Sequence, residues 1–166
     1  MTVVLVTGMS GTGKSTALAE LARRGHRVVD TDDDGWTEEA PLPDGGAERL
    51  WNEGRIEQLV RRPRDGALFV SGCVANQGRF YPRFDAVVLL SAPVDVILQR
   101  VATRDTNDFG KTAEQRERIL DDLETVEPLL RRGASAEIDT RAPLAEVADE
   151  LERIARVAVT DAGARD

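Results

Sequence analysis

The residues Gly8-Met9-Ser10-Gly11-Thr12-Gly13-Lys14-Ser15 match the pattern G-x-x-x-x-G-K-[ST]. That spacing suits the holding of a phosphate chain. Closely set glycines let consecutive backbone N–H groups curl around phosphate oxygens, and a helix that starts there adds partial positive charge. Lys14 then reaches the β- and γ-phosphates, and Ser15 offers its hydroxyl to Mg²⁺. Gly8, Ser10, Gly11, Thr12, Gly13, Lys14, Ser15 and Thr16 are the expected nucleotide-binding residues. Such a motif needs a buried strand before it and an amphipathic helix after it. Val3-Val4-Leu5-Val6 supplies the first, and Ala17, Leu18, Leu21 and Ala22, recurring at helical spacing until Gly25, supply the second.

A phosphate cradle alone specifies no reaction. A second constellation stands at the end of the strand-like Arg27-Val28-Val29, in the acidic run Asp30-Thr31-Asp32-Asp33-Asp34. Asp30 and Asp32 are separated by one residue, so in an extended chain both carboxylates leave the same side of the backbone. One can order the water shell of a metal while the other accepts a proton from an attacking hydroxyl. Asp33 and Asp34 read as a solvated turn. In an open α/β sheet, ligands sit beyond the carboxyl ends of the strands, where Asp30 and Asp32 fall.

The elements that must position these groups are legible along the chain. A polar loop holding Pro41 and Pro43 leads to an expected helix over Ala47 to Arg62, with Leu50, Trp51, Ile56, Leu59 and Val60 as its apolar positions and Pro63 as its stop. Ala67-Leu68-Phe69-Val70 predicts a third strand and Ala86 to Leu90 a fourth. Pro93 opens a helix to about Thr103, and a polar segment 104–112 follows. Thr112 caps an expected long helix from Ala113 to about Arg132, kinked or restarted at Pro128 and closed by Gly133. Ala136-Glu137-Ile138-Asp139 predicts a fifth strand, and Pro143 opens the last helix. Strands alternating with helices predict an α/β fold, a five-stranded parallel sheet flanked on both faces. Residues 1–159 read as one domain, with an acceptor-binding region over about 31–64 and a frayed tail over 160–166.

Composition narrows the partners. The 166 residues carry 22 basic and 30 acidic side chains, a formal charge of -8, which argues against a nucleic-acid backbone held on a broad positive face. Cys73 is the one cysteine, so intrachain disulfides and multi-thiolate metal sites are excluded; it reads as a small buried filler, and the lone His26 as packing near the end of the first helix. The N-terminal run has no basic stretch followed by a long apolar one, so a cytoplasmic location without a membrane partner is expected. Of the 22 basic residues only Lys14 and Lys111 are lysines. Against that background Lys111, in the 104–112 segment, stands out as a second functional candidate.

The glycine-rich strand-turn-helix followed by Asp-x-Asp resembles the shikimate kinase and gluconate kinase group, kin of nucleoside monophosphate kinases among AAA-type ATP-binding proteins. The likeness continues through Leu90-Ser91-Ala92-Pro93 with Arg100, and through Glu127-Pro128-Leu129-Leu130-Arg131. It implies a P-loop NTPase fold with a short lid over about 104–112, the cofactors ATP and Mg²⁺, and γ-phosphate transfer to a hydroxyl or phosphate of a small-molecule acceptor, by a monomer or homodimer. It implies Ser15 and Asp30 at the metal, Asp32 as the base on the acceptor hydroxyl, and Arg100 on the adenine. Arg104 and Lys111 become the lid cations for the transferring phosphate, and Arg141 lies in the loop expected to face the base.

The departures are informative too. Shikimate kinases carry Gly-Gly-Gly after the third strand, where this chain has Ser71-Gly72-Cys73-Val74-Ala75-Asn76-Gln77, and an arginine where it has Val126. Shikimate is therefore not the expected acceptor. Ser71, Gly72, Asn76 and Gln77 are expected to line the acceptor site instead, with Arg55 and Arg79 supplying positive charge. Trp51 is expected in the core, whereas Trp36 fits either packing or stacking on a flat substrate. Two other readings stay open: a polynucleotide 5′-hydroxyl kinase, supported by Arg61, Arg62 and Arg64, and a non-catalytic ATP-binding regulatory protein.

Overall fold

The computed structural model describes residues 2–61 and 65–163. At its centre is β1 (Thr2–Thr7), every residue of which is buried. A strand that is apolar on both faces is satisfied only between two covering layers. It runs parallel to β5 (Ala67–Ser71) on one side and β6 (Ala86–Ser91) on the other. β2 (Arg27–Asp30) lies beyond β5 and β7 (Ala136–Asp139) beyond β6, giving the order β2-β5-β1-β6-β7, all parallel. The expected α/β architecture and its five strands are thus present.

One face of the sheet presents Val4, Val6, Phe69, Val88 and Leu90 to α1 (Lys14–Arg23) and α6 (Leu144–Gly163), which answer with Leu18, Leu21 and Leu151. The other face packs Val3, Leu5, Leu68, Val70 and Val87 against Trp51 and against Ile56 and Leu59 of α2 (Glu53–Arg61). Each such side chain, fully buried, contributes about 1.5–3 kcal/mol. Because β1 and β5 are held from both faces, the loops at their carboxyl ends stand on a rigid base. His26 closes the α1 end as expected, its ring edge-on to Phe69 and its Nε2 2.6 Å from Glu152 Oε1.

One expectation needs correction. Ala47 to Trp51 is not the start of a helix: it is β4 (Ala47–Trp51), paired antiparallel with β3 (Thr37–Pro41) in a hairpin where a polar loop is expected. Tertiary contacts override the local pattern here. Asn76 accepts from the Trp51 N–H at 2.8 Å and donates to its carbonyl at 3.1 Å, so extended backbone at Trp51 is fixed from a distant loop. Of the two outcomes expected at Pro128, kink or restart, the restart is present: α4 (Ala113–Thr125) is followed by α5 (Glu127–Gly133), because Pro128 has no N–H to continue the ladder and sits in the first turn of the second. Thr112 caps α4 with a reciprocal Gln115 capping box, as its sequence predicts. α6 runs as a helix to Gly163. Arg62, Pro63 and Arg64 lie outside the described residues. Among the described residues no helix is long and apolar enough to cross a membrane.

Candidate active site

The loop between β1 and α1 opens into a cleft of about 960 Å³. Ser10, Gly11, Gly13, Lys14, Ser15 and Thr16 line one wall, with Asp30, Asp32 and Asp33 from the end of β2 beside them. Gly11 has φ +82, and a Cβ there would come within 2.8 Å of Val101 Cγ2, so both the turn and its seat on α3 (Val94–Thr103) exclude a side chain. Thr12 is buried and turns its hydroxyl back to the Met9 carbonyl at 2.8 Å, which stiffens the loop from inside. No side chain caps α1, so the first-turn N–H groups that every helix leaves unpaired face the cleft. Gly8 and Thr12 shape the cradle from behind this wall rather than lining the cleft itself.

Lys14 Nζ donates to the carbonyls of Gly8 at 2.7 Å and Met9 at 3.0 Å. Burial pushes the Lys14 pKa down, and the nearby Cys73, Asp32 and Asp30 pull it back up. Its ammonium is therefore weakly hydrated, and a phosphate finds it with little solvent to displace. Ser15 Oγ donates to Asp30 Oδ2 at 2.8 Å, while Asp30 Oδ1 accepts from the Asp32 N–H at 3.0 Å. Both Asp30 oxygens are thus engaged and fixed beside the Ser15 hydroxyl. A hard oxygen pair of this kind fits Mg²⁺, which is held by one or two carboxylates plus phosphate oxygens. Among the described residues no three His, Cys, Asp or Glu side chains gather at one point, so a metal here would depend on the phosphates for its remaining ligands.

The opposite wall comes from α3, the 104–112 segment and the loop after β7. Arg100 donates to Thr140 Oγ1 at 2.9 Å and to the Thr140 carbonyl at 2.7 Å, and reaches the Gly11 carbonyl at 3.4 Å. It ties the phosphate loop to the β7 loop. Arg141 also lines the cleft, but its guanidinium is closed on Asp139 through bonds of 2.6–3.1 Å. Arg104 organises the 104–112 segment from within, donating to the carbonyls of Asn107 at 3.2 Å and Phe109 at 2.8 Å and to Ser10 Oγ at 3.2 Å. Burial lowers its pKa. Lys111 does not line the cleft; its ammonium lies 3.4 Å from Asp108. Of the two expected lid cations, Arg104 alone is placed at the phosphate loop.

The expected acceptor residues are gathered behind Asp32 rather than in the cleft wall. Gly72 packs under Trp51 and Thr31, where a Cβ would overlap Thr31 Oγ1 and come within 3.0 Å of the Trp51 ring. Ser71 is buried in register with Asp30, and its hydroxyl has no hydrogen-bond partner among the described residues. The Asn76 amide is spent on the Trp51 backbone, and Gln77 is buried on Thr7, Tyr81 and the Val74 N–H. Both are framework groups whose polar atoms are already satisfied. Arg79 pairs with Glu53 at 2.9 Å on the surface, and Arg55 donates to the Gly35 carbonyl at 2.7 Å. Trp36 packs against the Trp51 cluster, and Cys73 is half-buried with its thiol pKa raised by burial.

Sequence reasoning misses Thr31 and Arg49. Thr31 Oγ1 donates to the Ser71 carbonyl at 2.7 Å and accepts from Trp51 Nε1 at 2.9 Å. Its signal was the alternation itself, since a residue between two outward carboxylates must face inward. Arg49 Nη1 stands 3.7 Å from Asp32 Oδ1.

The sequence profile of the AAA domain family matches residues 4–121, from β1 through most of α4. The chain belongs to the AAA domain family. Over 92–97% of its length this AAA domain shares the P-loop NTPase fold with solved kinases. It is similar to shikimate kinase from Acinetobacter baumannii, solved in complex with shikimate, at 21% identity and TM-score 0.63, covering 97% of this chain and 94% of that one. It is likewise similar to a gluconokinase from Sinorhizobium meliloti 1021 at 20% identity and TM-score 0.62, over 96% and 94% of the two chains. Shikimate kinase from Bacteroides thetaiotaomicron gives 16% identity and TM-score 0.63, over 92% and 97%. At these identities the likeness is one of fold. Comparison with curated proteins gives no match.

Proposed function

We propose that this AAA domain is an ATP-dependent phosphotransferase that moves the γ-phosphoryl group to a hydroxyl of a small-molecule acceptor. The observation that carries the reading is a division of labour between two carboxylates two residues apart. Asp30 is locked to Ser15 and to the Asp32 N–H, whereas Asp32 accepts no hydrogen bond among the described residues, has only Arg49 at 3.7 Å, and is half exposed beside Lys14 and the phosphate loop. A locked carboxylate beside a hydroxyl suits metal positioning; an unclaimed one suits proton acceptance.

Ser15 and Asp30 would hold Mg²⁺, which when bound neutralises charge on the phosphates. Lys14 and the α1 N–H groups hold the β- and γ-phosphates in line with the acceptor. Asp32 orients the acceptor hydroxyl and takes its proton as the new O–P bond forms and the β–γ bridging bond breaks, releasing ADP. Arg104, fastened to Ser10, places a cation at the transferring group, and the 104–112 segment excludes water over it.

The test is a mass-spectrometric screen for ATP-dependent addition of phosphate across a metabolite library. A single phosphorylated product, lost in Asp32→Asn with ATP binding kept, is the expected outcome. Unchanged turnover in Asp32→Asn would overturn the assignment of the base. Tight ATP binding with no product from any acceptor would favour the non-catalytic regulatory reading instead.

A further inference from the structure

We propose that the acceptor is an uncharged hydroxyl compound whose hydrocarbon body lies against an apolar wall made by Met9, Cys73, Leu123 and Val126. The inference rests on the phosphotransferase reading above and deepens it by naming the substrate class of that site.

The wall is built at the carboxyl end of the sheet. Met9 lies in the phosphate loop, and its carbonyl receives Lys14 Nζ at 3.0 Å. Its side chain is buried with Leu89 of β6 and Leu130 of α5. Cys73, Leu123 of α4 and Val126, between α4 and α5, pack on those three and stay half-buried. The Gly72 N–H donates to the Val6 carbonyl at 3.2 Å, which brings the Cys73 loop level with the start of the phosphate loop. The charges that act most strongly on the Cys73 thiol are those of Lys14 and then Asp32. The wall therefore stands beside the lysine that meets the phosphates and the acid that faces the acceptor. A lone exposed apolar side chain needs no explanation. Several on one buried base, next to a few placed polar groups, have the composition of a small-molecule pocket.

Charge is the second observation. Residues 28–54 hold nine carboxylates against one arginine. That arginine, Arg49, is paired with Asp32 at 3.7 Å, Arg55 is spent on the Gly35 carbonyl, and Arg79 on Glu53. Asp122, the next charge to act on the Cys73 thiol, is again an acid. An anionic acceptor would enter a field of its own sign with these arginines already engaged, whereas an uncharged one meets no such opposition.

Hydrogen bonding supplies the third. The loop after β5 carries two amides that could have gripped a polyol, but Asn76 is spent on the Trp51 backbone and Gln77 on Thr7, Tyr81 and the Val74 N–H. What that loop offers beside Lys14 is the Cys73 side chain. Recognition on this side thus falls to hydrocarbon contact, with the reacting hydroxyl left to Asp32.

The experiment uses the full chain with ATP and Mg²⁺ and three probes: the vicinal diols of propane and hexane, and the hydroxy acid of hexane length. The hexanediol should be used with a KM at least about 10-fold below that of the propanediol, from the burial of its added methylenes, and at least about 10-fold below that of the acid. Val126→Arg should cut both ratios about 10-fold while ATP affinity is kept. Should Val126→Arg fold poorly, Cys73→Ser tests the same wall at nearly constant size, with the hexanediol KM raised about 3–10-fold and kcat within about 3-fold. A merely structural role would move all three probes together and leave the ratios unchanged. Equal use of the two diols, preference for the acid, or ratios unchanged in both variants overturns the proposal. Ligand-observed NMR of the same probes on the protein with ADP and Mg²⁺ separates the two readings. Hexanediol binding that is weakened in either variant, without turnover, sinks the phosphotransferase reading alone; neither binding nor turnover sinks this proposal.

Discussion

The phosphate cradle is drawn from one contiguous run, Gly8 to Ser15, whereas the proposed acceptor side joins Asp32, Arg49, Trp51, Gly72 and Asn76 from three separate segments. The cradle is largely backbone: it needs glycines for the turn and a helix start for its dipole, and its geometry follows from local chain conformation. The acceptor side is held by side chains reaching across the fold, with Thr31 and Asn76 fixing a hairpin through Trp51. A backbone site tolerates change in its surroundings and keeps its ligand. A side-chain site changes its ligand when one partner is exchanged.

That contrast can be broken in graded ways. Lys14→Ala should have the largest effect, lowering phosphoryl transfer about 10³-fold while the melting temperature changes little, because the proposed role of the ammonium is to meet charge on the phosphates and, among the described residues, it bonds only to loop carbonyls. Steady-state turnover beside a thermal melt checks this. If stability fell in proportion, the cradle would depend on the lysine for its own shape.

Gly72→Ala attacks the other half. The added Cβ meets Thr31 and the Trp51 ring, and overpacking there should cost about 3 kcal/mol and weaken acceptor affinity while ATP affinity is retained. Denaturant unfolding together with nucleotide titration measures both. Thr31→Val keeps the volume and removes only the hydroxyl. It leaves the buried Trp51 N–H without its acceptor, a loss of about 1–2 kcal/mol. An acceptor KM that rises with ATP binding unchanged would place the effect on the hairpin, and a change in ATP binding alone would blur the division between the two halves.

The smallest effect lies away from both. Arg23, and after it Arg24, hold the Glu20 carboxyl down to about 2. A carboxyl lowered in the folded state adds stability above its unfolded value and loses it as pH falls toward its folded value. The melting temperatures of the native chain and of Glu20→Gln should therefore differ most near neutral pH and converge as pH is lowered from about 5 toward 2. Nucleotide affinity, compared at neutral pH, should be the same in both.

The legible parts of the sequence follow the same divide. Val3 to Val6 announces a central strand because only a strand covered on both faces is uniformly apolar, and the glycine-lysine-serine spacing announces a phosphate site because both ends of it are local. Asp30 and Asp32 were readable as a pair from alternation. The hairpin was not: Leu50-Trp51 ahead of Ile56 and Leu59 resembles a helical stripe, and pairing with β3 together with Asn76, twenty-five residues from Trp51, makes that segment extended. For the same reason Asn76 and Gln77 read as ligand groups from sequence and are spent inside the framework in the fold.

By itself the sequence determined the sheet, the phosphate loop and the acid pair, since each rests on the conformation or burial of neighbouring residues. Only the tertiary structure decided which carboxylate is locked and which is open, which of the two expected lid cations meets the phosphate loop, and that Arg49 faces Asp32. These are distances between groups far apart in the chain, and nothing in local propensity or spacing encodes a distance that packing alone sets.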